Sequence, residues 1–210
     1  MRSVMTAIVL VLAAGTQAAA QSLHLPAGTN GIELGAGWSV GPSSNGVETF
    51  IGASLGGRVD VGVQISHYTL TFDDGFQSSW EDYAPLVRWF PVKEQSGAPV
   101  SLSVSGQFFI DDYESDEDSG KFVQIGPTVY KAFTLQNGWA ITPFAGFAFV
   151  AESYSFGGEP ADKAQYLTRD LGLHFTSPAD RSWLVRFTLI DQSFRRETYR
   201  GARIAVIRKL

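Results

Sequence analysis

Few residues in this chain could do chemistry. Its only imidazoles are His24, His67 and His174, and its 210 residues include no cysteine. Asp170 and His174 fall on one face of an extended segment. Four residues of strand set them about 13 Å apart, too far for a hydrogen bond. A lipid-cleaving site would need a Ser–His pair turned toward lipid, and His174 has the parity of the opposite face. No Walker, Rossmann or zinc-spaced motif occurs. With single histidines and no assembled nucleophile–base pair, the expectation is a non-enzyme without catalytic residues, cofactor or metal.

Two charged stretches remain. "DDYESDEDSG" carries Asp111, Asp112, Glu114, Asp116, Glu117 and Asp118, six acids within eight residues. Their order does not follow the alternating ligands, central Gly and distant Glu of an EF-hand. Such a run reads as an extended, solvated tip that attracts divalent cations loosely. "FRRETYRGAR" is the basic counterpart, with Arg195, Arg196 and Arg200 suited to phosphate. The net charge of −5 is modest and argues against a nucleic-acid partner.

The elements that carry these residues alternate with period two. "NGIELGAGWSV" sets Ile32, Leu34, Ala36, Trp38 and Val40 against Gly31, Glu33, Gly35, Gly37 and Ser39. "RVDVGVQISHY" and "VSLSVSGQF" repeat the pattern, which is that of a strand with two unlike faces. Further segments begin near Val47, Tyr83, Phe122, Trp139, Tyr166, Trp183 and Tyr199. The sum is about ten strands, with eight as the alternative, most near the 9–11 residues that cross a membrane when tilted. Connections alternate in length, the odd ones being longer and more charged, as external loops are. "PVKEQSGAP" is the poorest fit to a short turn on the other side.

Before the first strand, Arg2, the apolar "VMTAIVLVLAA" and Ala18-Ala19-Ala20 form an export-signal pattern. Residues 1–20 are expected to be removed, leaving 21–210 as one domain. Without cysteines that domain can hold neither a disulfide framework nor a lipid anchor on a cysteine.

Aromatic residues of apolar-face parity gather at the strand ends. Trp38, Tyr83, Phe108 and Phe149 mark one level; Trp89, Phe133, Trp139, Phe175 and Trp183 mark the other. Phe122 is also expected at the external rim. Two such girdles belong at the two membrane interfaces. The signal, the alternation and segments such as "APLVRWF" and "IGPTVYKAF" together resemble the small outer-membrane β-barrel proteins of Gram-negative bacteria, the OmpX-like and OmpA-like barrels. The resemblance implies an all-β, closed, antiparallel, up-and-down transmembrane barrel in the outer membrane. It implies assembly by the barrel-assembly machinery, a monomer, and lipid and lipopolysaccharide as partners. The chain departs from that family by ending "ARIAVIRKL" without a terminal aromatic, and Arg208 falls on the apolar face, where it must snorkel.

The opposite face carries Glu33, Glu48, Asp60, Gln64, Arg88, Asp170, His174 and Arg186 among small residues. In a narrow barrel such side chains fill the interior. Arg88 and Arg186 are expected to neutralise Glu33, Glu48 or Asp60, because an unpaired charge there is costly. Glycines are expected to make room for Phe50, Tyr130 and Phe144. Pro85, Pro127 and Pro143 should lie at strand ends or bulges, since each lacks a ladder donor. The function expected is a structural or surface-interaction barrel with a filled lumen or narrow pore. The alternative is a soluble periplasmic or secreted barrel with the Val, Ile and Leu face turned inward around an apolar ligand. A barrel hydrolase is a weaker third reading.

Overall fold

In the computed structural model the structure is described for residues 21–25, 28–42, 44–71, 75–113, 119–155, 162–179, 182–194 and 197–210. The expected signal segment lies outside the described residues. A short helix α1 (Gln21–His24) precedes β1 (Gly31–Val40), β2 (Ser44–Leu55), β3 (Val59–Thr71), β4 (Gln77–Val92), β5 (Ser101–Tyr113) and β6 (Ser119–Tyr130). A two-residue β7 (Phe133–Thr134) follows, then β8 (Ala140–Ser155), β9 (Asp162–Thr176), β10 (Trp183–Phe194) and β11 (Glu197–Lys209).

Each long strand pairs antiparallel with its sequence neighbour. β1 closes on β11 through pairs such as Trp38↔Ile204, and β6 closes on β8 through Ile125↔Phe149. β7 pairs only with β8, at its first residues Ala140 and Ile141. The barrel therefore has ten strands, not eight, and its sheet has no open edge.

Alternation fixes which face is dry. Leu189 and Leu171 are 63% and 60% exposed on the outside, whereas Glu33 and Arg88 are 2% and 0% exposed within. A soluble barrel would have these reversed; an outward apolar band around a polar interior is the membrane-barrel arrangement. The alternative with an apolar cavity inside is overturned by this polarity.

Three local expectations are corrected. Pro85, Pro127 and Pro143 lie within β4, β6 and β8, not at their ends. The barrel accommodates two of them by gaps in one ladder: the β4–β5 register passes from Tyr83↔Ile110 to Leu86↔Gln107, and the β6–β8 register from Ile125↔Phe149 to Thr128↔Gly146. The irregularity of β4 lies lower, between Trp89 and Val92. Second, the length contrast between connections comes from strands that continue into the segments read as loops. β5 runs to Tyr113 and β6 starts at Ser119, so the far end projects as sheet. Third, Phe122 points inward rather than toward the rim, because it shares the even parity of Gln124 and Thr128.

Close approach explains two interior glycines. A Cβ on Gly35 would lie 2.2 Å from the ring of Phe50, and one on Gly172 would lie 2.3 Å from the ring of Phe144. These rings cover bare backbone and fill the space a side chain would have taken. Tyr130 meets the rings of Phe90 and Phe144, with centroids 6.0 and 5.8 Å away.

Candidate functional site: the lumen and its two mouths

Opposite charges do meet inside the barrel, and one of the meetings involves a residue outside the expected set. Glu48, on β2, forms its ion pair with Arg203 on β11, both nearly inaccessible to solvent. Gln64 completes the group: its Nε2 donates to Glu48 Oε2 at 3.3 Å and to Ser66 Oγ at 2.7 Å, while Arg203 Nη2 donates to Gln64 Oε1 at 3.3 Å. Arg203 was not among the candidate residues. Its signal was the alternation of "ARIAVIRKL", whose apolar residues face out and therefore send Arg203, Ala205 and Ile207 in.

The other charges hold separate stations. Asp60 and Arg88 are direct cross-strand partners, and both are buried. Glu33 lies between Gly52 on β2 and Lys209 on β11 in register. Arg186 sits beside His174, donates Nε–H to Thr188 Oγ1 at 3.1 Å and places its guanidinium 5.1 Å from the ring centroid of Phe144. Such stacking satisfies a guanidinium that burial has stripped of water. Asp170 Oδ1 and His174 Nδ1 are buried without a hydrogen-bond partner, so the two do not form an acid–base pair.

Aromatic packing closes the half of the lumen away from the termini. Phe109 and Phe122 stack with centroids 3.8 Å apart, among Ala84, Val150, Ala164 and Tyr166. Tyr166 donates its hydroxyl to Glu152 Oε2 at 2.9 Å. Above this packing Asp82 and Asp111 face each other across β4 and β5, and both are buried. Of the acidic run, Asp111 thus points inward and Asp112 outward. Glu114, Asp116, Glu117 and Asp118 lie outside the described residues, as do Arg195 and Arg196. Among the described residues no three carboxylate or imidazole groups converge as a metal site would require.

The mouth beside the C-terminus is covered by residues 21–25, which precede β1. Leu23 packs with Phe90, Tyr130 and Phe144, and the His24 ring lies 5.9 Å from that of His174. Backbone carbonyls hold this segment down: Lys93 Nζ donates to Leu25 O and, at 2.8 Å, to Gly57 O, and Gln95 Nε2 donates to Leu23 O at 3.4 Å. Lys93 and Gln95 belong to the "PVKEQSGAP" connection, whose length is thereby explained. A 3₁₀ turn at Glu94–Ser96 folds it, and Glu94 pairs with Lys131 and accepts from Ala132 N–H at 2.9 Å. Partial burial works against the Glu94 carboxylate, but Lys131 and that N–H outweigh it and hold its pKa below the ordinary value.

On the outer wall Trp38, Tyr83, Trp89, Trp139 and Trp183 are all exposed. Arg208 resolves its awkward position by laying its guanidinium 5.4 Å from the Trp183 ring centroid. This cation–π contact keeps the charge at an interface that Trp favours.

No protein-family model and no curated protein matches the sequence. Solved structures do share the fold. The translocator domain of autotransporter NalP from Neisseria meningitidis superimposes with a TM-score of 0.53 at 9% identity, over 99% of this chain and 95% of that one. The β domain of the Bordetella autotransporter BrkA gives a TM-score of 0.52 at 8% identity, over 86% and 99%. A looser likeness, with a TM-score of 0.39 at 11% identity over 88% and 100%, is to Ail, the attachment invasion locus protein of Yersinia pestis.

Proposed function

We propose that this chain, which has the fold of the outer-membrane β-barrels, is a monomeric, sealed barrel that presents its far end at the cell surface and catalyses nothing. The observation that carries this reading is the filled lumen. Stacked rings occupy one half, the Glu48–Arg203 ion pair and hydrogen-bonded polar groups lie at membrane depth, and the segment around Leu23 covers the mouth beside the C-terminus. Gln21–Leu25 and the C-terminal Leu210 lie at that mouth, which this reading places in the periplasm. The exposed apolar wall supports membrane residence, and the closed sheet leaves no edge to recruit a second copy. The projecting sheet ends around Asp112 and the neighbouring acids then form the external surface.

The test is conductance in planar bilayers, beside fractionation of cells. The full mature chain should stay with the membrane and pass no stable current. Deleting residues 21–25 alone should leave the chain non-conducting, because the Phe109–Phe122 stack still closes the other half; adding Phe109→Ala and Phe122→Ala should produce small, discrete conductance steps. Porin-like conductance by the intact chain would overturn the sealed lumen, and a mature chain soluble without detergent would overturn membrane residence. Protease added to intact cells should cut near residues 111–118; cutting only after the outer membrane is opened would invert the orientation.

A further inference from the structure

The outer wall of β8–β11 breaks the apolar pattern at one place. Antiparallel register sets Phe147, Arg169, Asp191 and Arg200 side by side on four successive strands, all facing outward. Among the described residues no side-chain hydrogen bond or ion pair engages the Arg169 or Arg200 guanidinium, and Asp191 Oδ1 is buried without a hydrogen-bond partner. Two guanidinium groups against one carboxylate leave net positive charge on a wall that is otherwise for lipid. A cation on that face of a barrel costs about 2–4 kcal/mol at the bilayer midplane and little near the interface. The row therefore belongs at an interface. Its position agrees: Arg169 lies two residues from Leu167, the partner of Phe149, and Arg200 lies four residues beyond Ile204, the partner of Trp38.

Directly below the charged row the wall is hollow. The next row reads Ala145, Leu171, Leu189, Ala202, and the row after it Pro143, Leu173, Phe187, Ile204. The small Ala145 and Ala202 flank the two leucines and leave depressions that taller side chains above and below enclose. One groove of about 610 Å³ reaches from Arg169, Asp191 and Arg200 onto Leu171 and Leu189. A second, of about 440 Å³, shares those leucines and continues to Leu173 and Phe187. From Arg169 to Leu173 the strand spans about 13 Å, close to one leaflet of a ~30 Å hydrocarbon core.

We propose that this groove is a binding site for lipopolysaccharide, with a phosphate of its acylated saccharide held between Arg169 and Arg200 and an acyl chain laid along Leu171, Leu189 and Phe187. Planar guanidinium groups grip phosphate through paired N–H donors, and one carboxylate against two guanidinium groups leaves most of those donors available. Asp191 sets a limit on charge: it separates the two arginines and favours a compact phosphate bridging them over a diffuse anionic surface. The proposal rests on the membrane reading and on the far end being external, since lipopolysaccharide occupies the external leaflet.

The experiment uses the full mature chain in phosphatidylcholine vesicles containing a small fraction of diphosphoryl lipid A, with lipid retention after extraction read by native mass spectrometry. Parallel samples carry dephosphorylated lipid A or phosphatidylglycerol. Wild type should retain diphosphoryl lipid A about tenfold better than either, equivalent to about 1.4 kcal/mol. Arg169→Gln with Arg200→Gln should abolish that preference. Lys121→Gln with Lys163→Gln, which removes two exposed cations elsewhere on the outer face, should leave it intact. Equal retention of the phosphorylated and dephosphorylated lipids, equal retention of phosphatidylglycerol, or equal loss in the lysine variant would each overturn the site. Failure of the chain to float with the vesicles would overturn the membrane reading instead.

Discussion

The barrel has a tall side and a short side, and they fill the same lumen differently. β4, β8 and β9 run 16, 16 and 15 residues, against 10 for β1 and 12 each for β2 and β10. On the tall side, between β4 and β8, the adjacent strands β5 and β6 bring Phe109 and Phe122 into register, and the two rings stack. On the short side the filling is Glu48, Arg203 and Gln64. Ring packing tolerates loss of one member at the cost of its own contacts. An ion pair in a dry lumen does not, since the surviving charge has no water to return to. Redundancy thus lies on the tall side and fragility on the short one.

The largest effect should come from breaking the short side. Arg203→Ala leaves Glu48 buried beside Gln64 and should lower stability in urea titrations of the micelle-bound protein by about 3–5 kcal/mol. Replacing both partners, Glu48→Leu with Arg203→Met, should recover most of that loss; a double variant no better than Arg203→Ala would show that the pair does more than neutralise itself. On the tall side, a double-mutant cycle of Phe109→Leu and Phe122→Leu should give a coupling of about 1 kcal/mol from the stacked geometry. A coupling near zero would mean the rings fill space without favouring one another, and the contrast between the sides would shrink to volume. The smallest effect belongs to the Glu94–Lys131 contact, which touches neither side. Because Glu94 titrates below its ordinary value, its contribution is complete above the unfolded-state pKa of about 4.3 and is lost as pH falls through the folded one. Glu94 keeps some contact with solvent and its partner Lys131 keeps more, so Glu94→Gln should cost under about 1 kcal/mol at neutral pH and nothing near pH 3. A pH-independent difference would separate that turn from the carboxylate.

Strand faces were legible from the sequence because side-chain parity is local: Glu33 or Trp38 needs only its neighbours to declare inside or outside. The number of strands followed from the same alternation, as did the outward girdle of Trp38, Trp89 and Trp183. What parity cannot supply is who meets whom across the lumen. Arg203 reaches Glu48 only because the sheet closes β11 onto β1. Arg169, Asp191 and Arg200 form one row only because register aligns three strands that the sequence separates. Leu23 stood in an unremarked stretch before the first strand, with no periodicity to show that it would cover a mouth. Even the acidic run divided only in three dimensions, where strand extension turned Asp111 inward against Asp82 and left Asp112 outside. Alternation is a property of one strand. Closure, stagger and register belong to all ten, and they alone chose the partners.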